Sequence, residues 1–449
     1  MSTLLHAAGL ITAACLAAAA HADPGGELRL VHEDRQAAST GPLAAAEALQ
    51  PGIAPPLLQR DLAELALDQR WQLAPAASRP TLALEARGLA WARRDVAGGP
   101  ATTRRSGLRV NELHAGTELG TSAGTWQLAA GRKVVSWDVG HGYRPNDVVQ
   151  QEARRSLLPG ALQGRALLMA EHLDADDALA VVWVHPRAAR HTGTAAERAD
   201  RLAALARQPG DEQALALRAY HRAGALDLHG FARQGETTGA SLGAAAAWVA
   251  GDTLELHASL RALRHHLAWT TPDGSQQPGP AALLRANPWQ PLLTGPARQG
   301  LLGLQWTGEQ QFSLLAEAWH DGCAPAASTW RAWRARNTAL ASGAALAQAP
   351  AAARAGNLMW QATPLDGAVN LQRDNLLLRL AWQPPGWQLG VDTLYTPADH
   401  GRIDTAALQW QGDRWRVNAA WRQAGGPVDA LARQLPTRRT LALALTGAF

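Results

Sequence analysis

Residues 438–449 read RRTLALALTGAF. Leu441, Leu443, Leu445 and Phe449 fall on one parity, and Thr440, Ala442, Ala444, Thr446 and Ala448 on the other. Strict alternation is the period of a strand with two unlike faces, one apolar and one small or polar. Chain ends usually fray. A clean strand that finishes on a large aromatic ring therefore asks what surface its apolar face meets.

Working back from that strand, the same alternation recurs. Leu254, Leu256, Ala258, Leu260 and Ala262 interleave with Glu255, His257, Ser259 and Arg261. Trp415, Val417, Ala419 and Trp421 interleave with Arg416, Asn418 and Arg422, and Trp387, Leu389 and Val391 with Gln388 and Asp392. The pattern predicts strands over 81–94, 107–119, 125–137, 165–173, 178–185, 214–222, 226–232, 241–248, 253–265, 300–306, 312–319, 376–382, 387–395, 403–410, 415–423 and 438–449. That makes about 16, with a range of 14–18.

Short and long connections alternate between these strands. The stretches 120–124, 174–177, 223–225, 249–252, 307–311, 383–386 and 411–414 are tight, whereas 138–164, 186–213, 266–299 and 320–375 are long. In an up-and-down antiparallel sheet all tight turns then lie at one end. Transmembrane barrels of outer membranes have that asymmetry, with short periplasmic turns and long external loops. An even strand count puts both termini at the short-turn side.

The chain carries 18 Trp against 3 Tyr and 3 Phe. Trp126, Trp248, Trp306, Trp382, Trp387, Trp410 and Trp415 stand near tight turns on the leucine-rich parity, and Trp91, Trp137, Trp183, Trp319 and Trp421 near the opposite strand ends. Indole rings favour membrane–water interfaces, so two Trp belts are expected. A mean hydropathy of −0.18 suits a wall with one face in lipid and one in water.

Residues 1–22, MSTLLHAAGLITAACLAAAAHA, form an apolar run ending Ala20-His21-Ala22, which predicts a signal peptide cleaved after Ala22. Cleavage removes Cys15 and leaves Cys323 without an intramolecular disulfide partner. Residues 23–80 show little pattern beyond Pro-rich patches and a helix-like 57–67, and predict a periplasmic or plug-like lead segment. Residues 81–449 are the expected barrel. The net charge of +4 comes from nearly balanced Lys+Arg (42) and Asp+Glu (38), so no nucleic-acid partner is expected. Barrels of this size have a wide lumen. Its expected lining includes Glu255, His257, Arg261, Arg379, Asp392, Arg416 and Arg422, whose arginine excess points to a mild preference for anionic or polar solutes.

The distinctive loop is 136–160, SWDVGHGYRPNDVVQQEARRSLLPG. Two glycines and a proline give it defined turns. One reading folds it inward, so that Arg144, Asp147, Glu152, Arg154 and Arg155 place charge in the pore; the other leaves it outside. A smaller expectation is a loop helix within 324–356, carrying Trp330 and Trp333.

Leu441, Leu443, Leu445 and Phe449 resemble the last strand of Gram-negative outer-membrane β-barrels. That resemblance implies recognition by the barrel-assembly machinery, outer-membrane location and contact with its lipids. GRKVVSWDVGHGYRPNDVV, residues 131–149, is similar to a segment of porin-like and alginate-export-like barrels, which implies passage of a solute or a polysaccharide. No nucleophile motif accompanies His229, His265, His266 or His320, and His141, His185 and His191 lack metal-ligand spacing. Neither catalysis, a metal nor a cofactor is therefore expected. The reading is a passive channel or export pore, with a plugged structural or assembly barrel, or an outer-membrane hydrolase, as alternatives.

Overall fold

The computed structural model describes residues 25–72, 81–99, 102–150, 156–185, 202, 205, 210–271, 287–343, 349–365 and 368–449. The segment 1–22 and most of 186–213 lie outside them. The strands are β1 (Gly25–Ala37), β2 (Leu57–Gln72), β3 (Thr81–Ala97), β4 (Thr102–Thr121), β5 (Gly124–Lys133), β6 (Arg165–Leu173), β7 (Asp177–Val184), β8 (Ala214–Ala223), β9 (Leu226–Gly235), β10 (Gly239–Ala250), β11 (Leu254–Leu263), β12 (His266–Thr270), β13 (Gln290–Thr294), β14 (Ala297–Thr307), β15 (Phe312–Asp321), β16 (Asp374–Trp382), β17 (Trp387–Thr396), β18 (Gly401–Gln411), β19 (Trp415–Gly425) and β20 (Thr437–Ala448). β12 and β13 form a separate hairpin within a loop. The other 18 make one antiparallel sheet in which each strand pairs with the next and β20 pairs back on β1. Closure leaves no unpaired edge, which a wall in hydrocarbon requires.

All sixteen expected strands are present. The two additional ones correct the domain reading: residues 25–37 and 57–72 are wall strands, not a lead segment or plug. Consequently β20 closes on β1, not on the strand that starts at Thr81. β2 reads LLQRDLAELALDQRWQ, rich in Leu, Ala, Glu, Gln and Arg and free of β-branched residues. Such a segment favours a helix in isolation. Ladders on both sides, to β1 and to β3, override that preference.

The outer face is apolar. Leu108, Leu242, Leu260 and Leu302 are each between 64% and 71% exposed, far from the burial their size favours in a water-soluble protein. The seven tryptophans near tight turns are all exposed on this face, and Phe312 stacks on Trp382 at 5.7 Å. They form one girdle at the short-turn end. A matching second belt is not formed by the five other candidates. Trp183 is exposed on the outer face, and Trp421 shares that face because it pairs with the exposed Leu441. Trp91 and Trp319 point inward, and Trp137 belongs to the loop after β5. Parity, which strand ends alone do not show, separates these cases.

At the long-connection end, three helices gather. α1 (Pro42–Leu49) lies between β1 and β2, and α2 (Ala327–Ser342) and α3 (Ala351–Trp360) lie between β15 and β16. Ala46, Leu340, Ala355 and Leu358 are fully buried where the three meet. The helix expected within 324–356 is thus α2. Its Trp330 and Trp333 pack with Trp289, Leu365, Leu371 and Leu431, and their indole N–H groups donate to Leu371 O and Gln361 O.

Candidate functional site

The loop between β5 and β6, residues 134–164, first folds on itself. Asp147 Oδ1 accepts from Ser136 Oγ at 2.8 Å and from Trp137 N at 3.1 Å. Arg144 donates from Nε to Gly140 O at 2.7 Å and from Nη1 to Ser136 Oγ at 2.5 Å. Asp138 accepts from Asn146 N at 2.5 Å and Val139 N at 2.9 Å. Burial raises the Asp138 carboxyl from its ordinary value, against the pull of those donors.

This compact unit is fastened to the inner wall. Asn146 Nδ2 donates to Ser259 Oγ at 2.8 Å and Leu260 O at 3.0 Å, and Ser259 Oγ donates to Asp138 Oδ1 at 2.8 Å. Arg261 Nη1 donates to Pro145 O at 2.9 Å. The amides of His141 and Gly142 donate to the two oxygens of Glu317 at 2.7 and 2.6 Å. Tyr143 stacks on Trp319, with centroids 5.8 Å apart. Val135, Val148 and Val149 pack with Leu167, Val182, Val184, Ala216 and Phe231 from the wall. Close approach needs a missing side chain at Gly243, where an added Cβ would fall 1.8 Å from Asn146 Oδ1.

The return leg reaches the other side of the barrel. Arg29 of β1 donates to Leu158 O at 3.2 Å while its other nitrogen pairs with Glu64 at 3.0 Å. Arg109 of β4 donates to Ala161 O at 2.9 Å. In the closed ring, β1 stands across from β10 and β11. The loop therefore spans the interior and touches opposing walls, rather than lying over the rim.

The expected lining residues separate into two groups. His257, Arg261 and Asp147 are buried beneath or within the loop, so they anchor it instead of facing a passing solute. Arg261 and Asp147 are met by loop and wall partners and His257 Nε2 by Glu317, which strand parity alone does not reveal. Arg144 is half-buried and tied to the loop's own backbone. Glu255, Arg379, Asp392, Arg416 and Arg422 stand on the inner parity without being fully buried. Arg379 pairs with Asp392 at 3.4 Å, Arg416 with Glu27 at 2.7 Å, and Arg422 Nε donates to Thr405 Oγ1 at 3.2 Å. Glu152, Arg154 and Arg155 lie outside the described residues. The anchors missed by the sequence reading are Arg29, Asp138, Asn146, Ser259 and Glu317. Inward parity marks Ser259 and Glu317 as wall residues, but only the folded loop shows what they hold.

No protein-family model and no curated protein sequence matches this chain. Among solved structures, the chain is similar to Acinetobacter baumannii OccAB1, at 7% identity over 95% of this chain and 96% of that one, with a TM-score of 0.51. It is also similar to the Pseudomonas aeruginosa outer membrane protein OprD, at 9% identity over 95% and 94%, TM-score 0.48. A Rhodopseudomonas blastica porin variant aligns at 9% identity over 96% and 100%, TM-score 0.43. At these identities the likeness is one of fold. The chain has a porin-like closed-barrel fold.

Proposed function

We propose that this chain is an outer-membrane diffusion channel for small polar or anionic solutes, with its termini and tight turns on the periplasmic side. The observation that carries the reading is the loop 134–164, which crosses the interior of an 18-stranded ring and is bonded to opposing walls. Rings of this size hold an aqueous lumen, and an inward loop sets its narrowest section. The exposed leucine band and the Trp girdle support a bilayer around the outside.

Selectivity for anions is weak in this reading, because the wall arginines mostly face carboxylates: Arg29–Glu64, Arg35–Glu33, Arg60–Asp95 and Arg416–Glu27. Conductance across planar bilayers, with reversal potentials in salt gradients, tests the proposal. Purified barrel should give discrete ohmic steps with a modest anion preference. Deleting 141–160 should raise the step size; unchanged conductance and selectivity would sink the role of the loop.

A further inference from the structure

His141, Glu255 and His257 each offer a ligand atom within 4.8 Å of the other two. Two come from the wall: Glu255 and His257 are two apart on β11 and therefore point to the same face. The third comes from the crossing loop. His141, His185 and His191 have no metal-ligand spacing along the chain; the partners of His141 stand instead on β11, more than a hundred residues on.

His257 is the centre of the arrangement. Its side chain is fully buried, and Nε2 lies 3.0 Å from Glu317 Oε1. A carboxylate only accepts, so Nε2 donates to Glu317, and Nδ1 is the ring nitrogen turned toward the cluster. That Nδ1 is buried and has no hydrogen-bond partner. It is aimed toward Glu255 Oε1, 3.5 Å away, and the His141 ring, whose centroid is 5.3 Å from its own. A tetrahedral ion bound at ~2.0–2.1 Å spaces its ligand atoms about 3.4 Å apart, which the Glu255–His257 pair already meets. Room for the ring is provided by Gly303, where an added Cβ would fall 2.1 Å from Nε2.

We propose that His141, Glu255 and His257 bind a divalent transition-metal ion of the Zn²⁺ class inside the barrel, tying the tip of the crossing loop to β11. Two imidazoles and one carboxylate suit Zn²⁺, Co²⁺, Ni²⁺ or Cu²⁺ and disfavour Ca²⁺ or Mg²⁺, which take all-oxygen sites. A dication also balances the two carboxylates, Glu255 and Glu317, gathered around one buried ring. Glu317 is a positioning residue: its hydrogen bond orients His257, the carboxylate–histidine–metal relation common in metalloproteins. The proposal rests on the closed barrel and its loop, and stands whatever the barrel conducts.

The test is Co²⁺ titration of tag-free, detergent-purified barrel, followed by Zn²⁺ competition. One equivalent of Co²⁺ should give tetrahedral d–d absorption that Zn²⁺ removes and Mg²⁺ does not. His141→Ala lies in a loop, so heat-modifiable gel migration should show an intact barrel while the absorption is lost. Glu317→Gln should weaken binding by about 10- to 100-fold and retain the site. Absence of Co²⁺ absorption in the wild-type barrel, or absorption unchanged in His141→Ala, overturns the proposal. Neither result depends on conductance, so this failure and failure of the channel reading are separable.

Discussion

Asn146 Nδ2 donates to Ser259 Oγ at 2.8 Å inside the barrel, and Ser259 Oγ donates in turn to Asp138. One wall hydroxyl therefore serves both ends of the loop's turn. Buried hydrogen bonds are worth about 1 kcal/mol each when formed, and about 1–3 kcal/mol when one partner is stranded. Asn146→Ala removes contacts to Ser259, Leu260 and Ala244 together. The expected outcome is an intact barrel whose loop is cut faster by protease and whose open-channel current is noisier. A proteolysis rate equal to wild type would show that the loop is held elsewhere.

Arg379 faces Asp392 across two wall strands, with half of its side chain still exposed. Replacing it with glutamate reverses one charge and leaves two carboxylates adjacent. Arg379→Glu should move the reversal potential in a salt gradient toward cations and leave barrel assembly intact. A reversal potential unmoved within error would place this stretch of wall away from the conduction path.

Leu302 and Gln305 lie on opposite parities of β14. Leu302, 68% exposed at the middle of its strand, faces outward; Gln305 pairs with the inward Glu255. An arginine at a lipid-facing midplane position of a barrel costs ~2–4 kcal/mol, whereas lumen positions tolerate charge. Leu302→Arg should lower folding free energy in lipid vesicles by that amount, and Gln305→Arg should change it little. Equal costs for the two would contradict the bilayer placement.

The wall was legible in the sequence because its chemistry repeats every two residues. Sixteen strands follow from alternation, and β6 matches its expected span of 165–173. β2 was illegible for a definite reason: Leu, Ala and Glu at Leu62–Leu67 suit a helix, and only its neighbours on both sides make it a strand. Glu255, His257 and Arg261 were recognisable as inward by parity. Which of them meet solute was not, because the loop that buries His257 and Arg261 comes from more than a hundred residues earlier. Trp319 shows the same limit: it sits at a strand end like an interfacial ring, yet stacks on Tyr143 inside.

Phe449 follows β20, where its amide donates to Gly26 O and its carbonyl accepts from Gly26 N, both at 3.0 Å. These bonds complete the β1–β20 seam at the short-turn end. The ring itself is not needed for them: Phe449 is 70% exposed, beside the level of the Trp girdle. The ring lies over Gly26 of β1, where an added Cβ would fall 2.2 Å from Cε2, and its remaining surface is open, where the resemblance of the last strand implies contact with an assembly factor. Phe449→Ala keeps both backbone bonds and removes only the ring. The expected outcome is a several-fold lower amount of heat-modifiable barrel in the outer membrane, with unchanged single-channel conductance for the molecules that insert. Wild-type levels of the alanine variant would contradict the assembly role, and altered conductance would show instead that the ring shapes the pore.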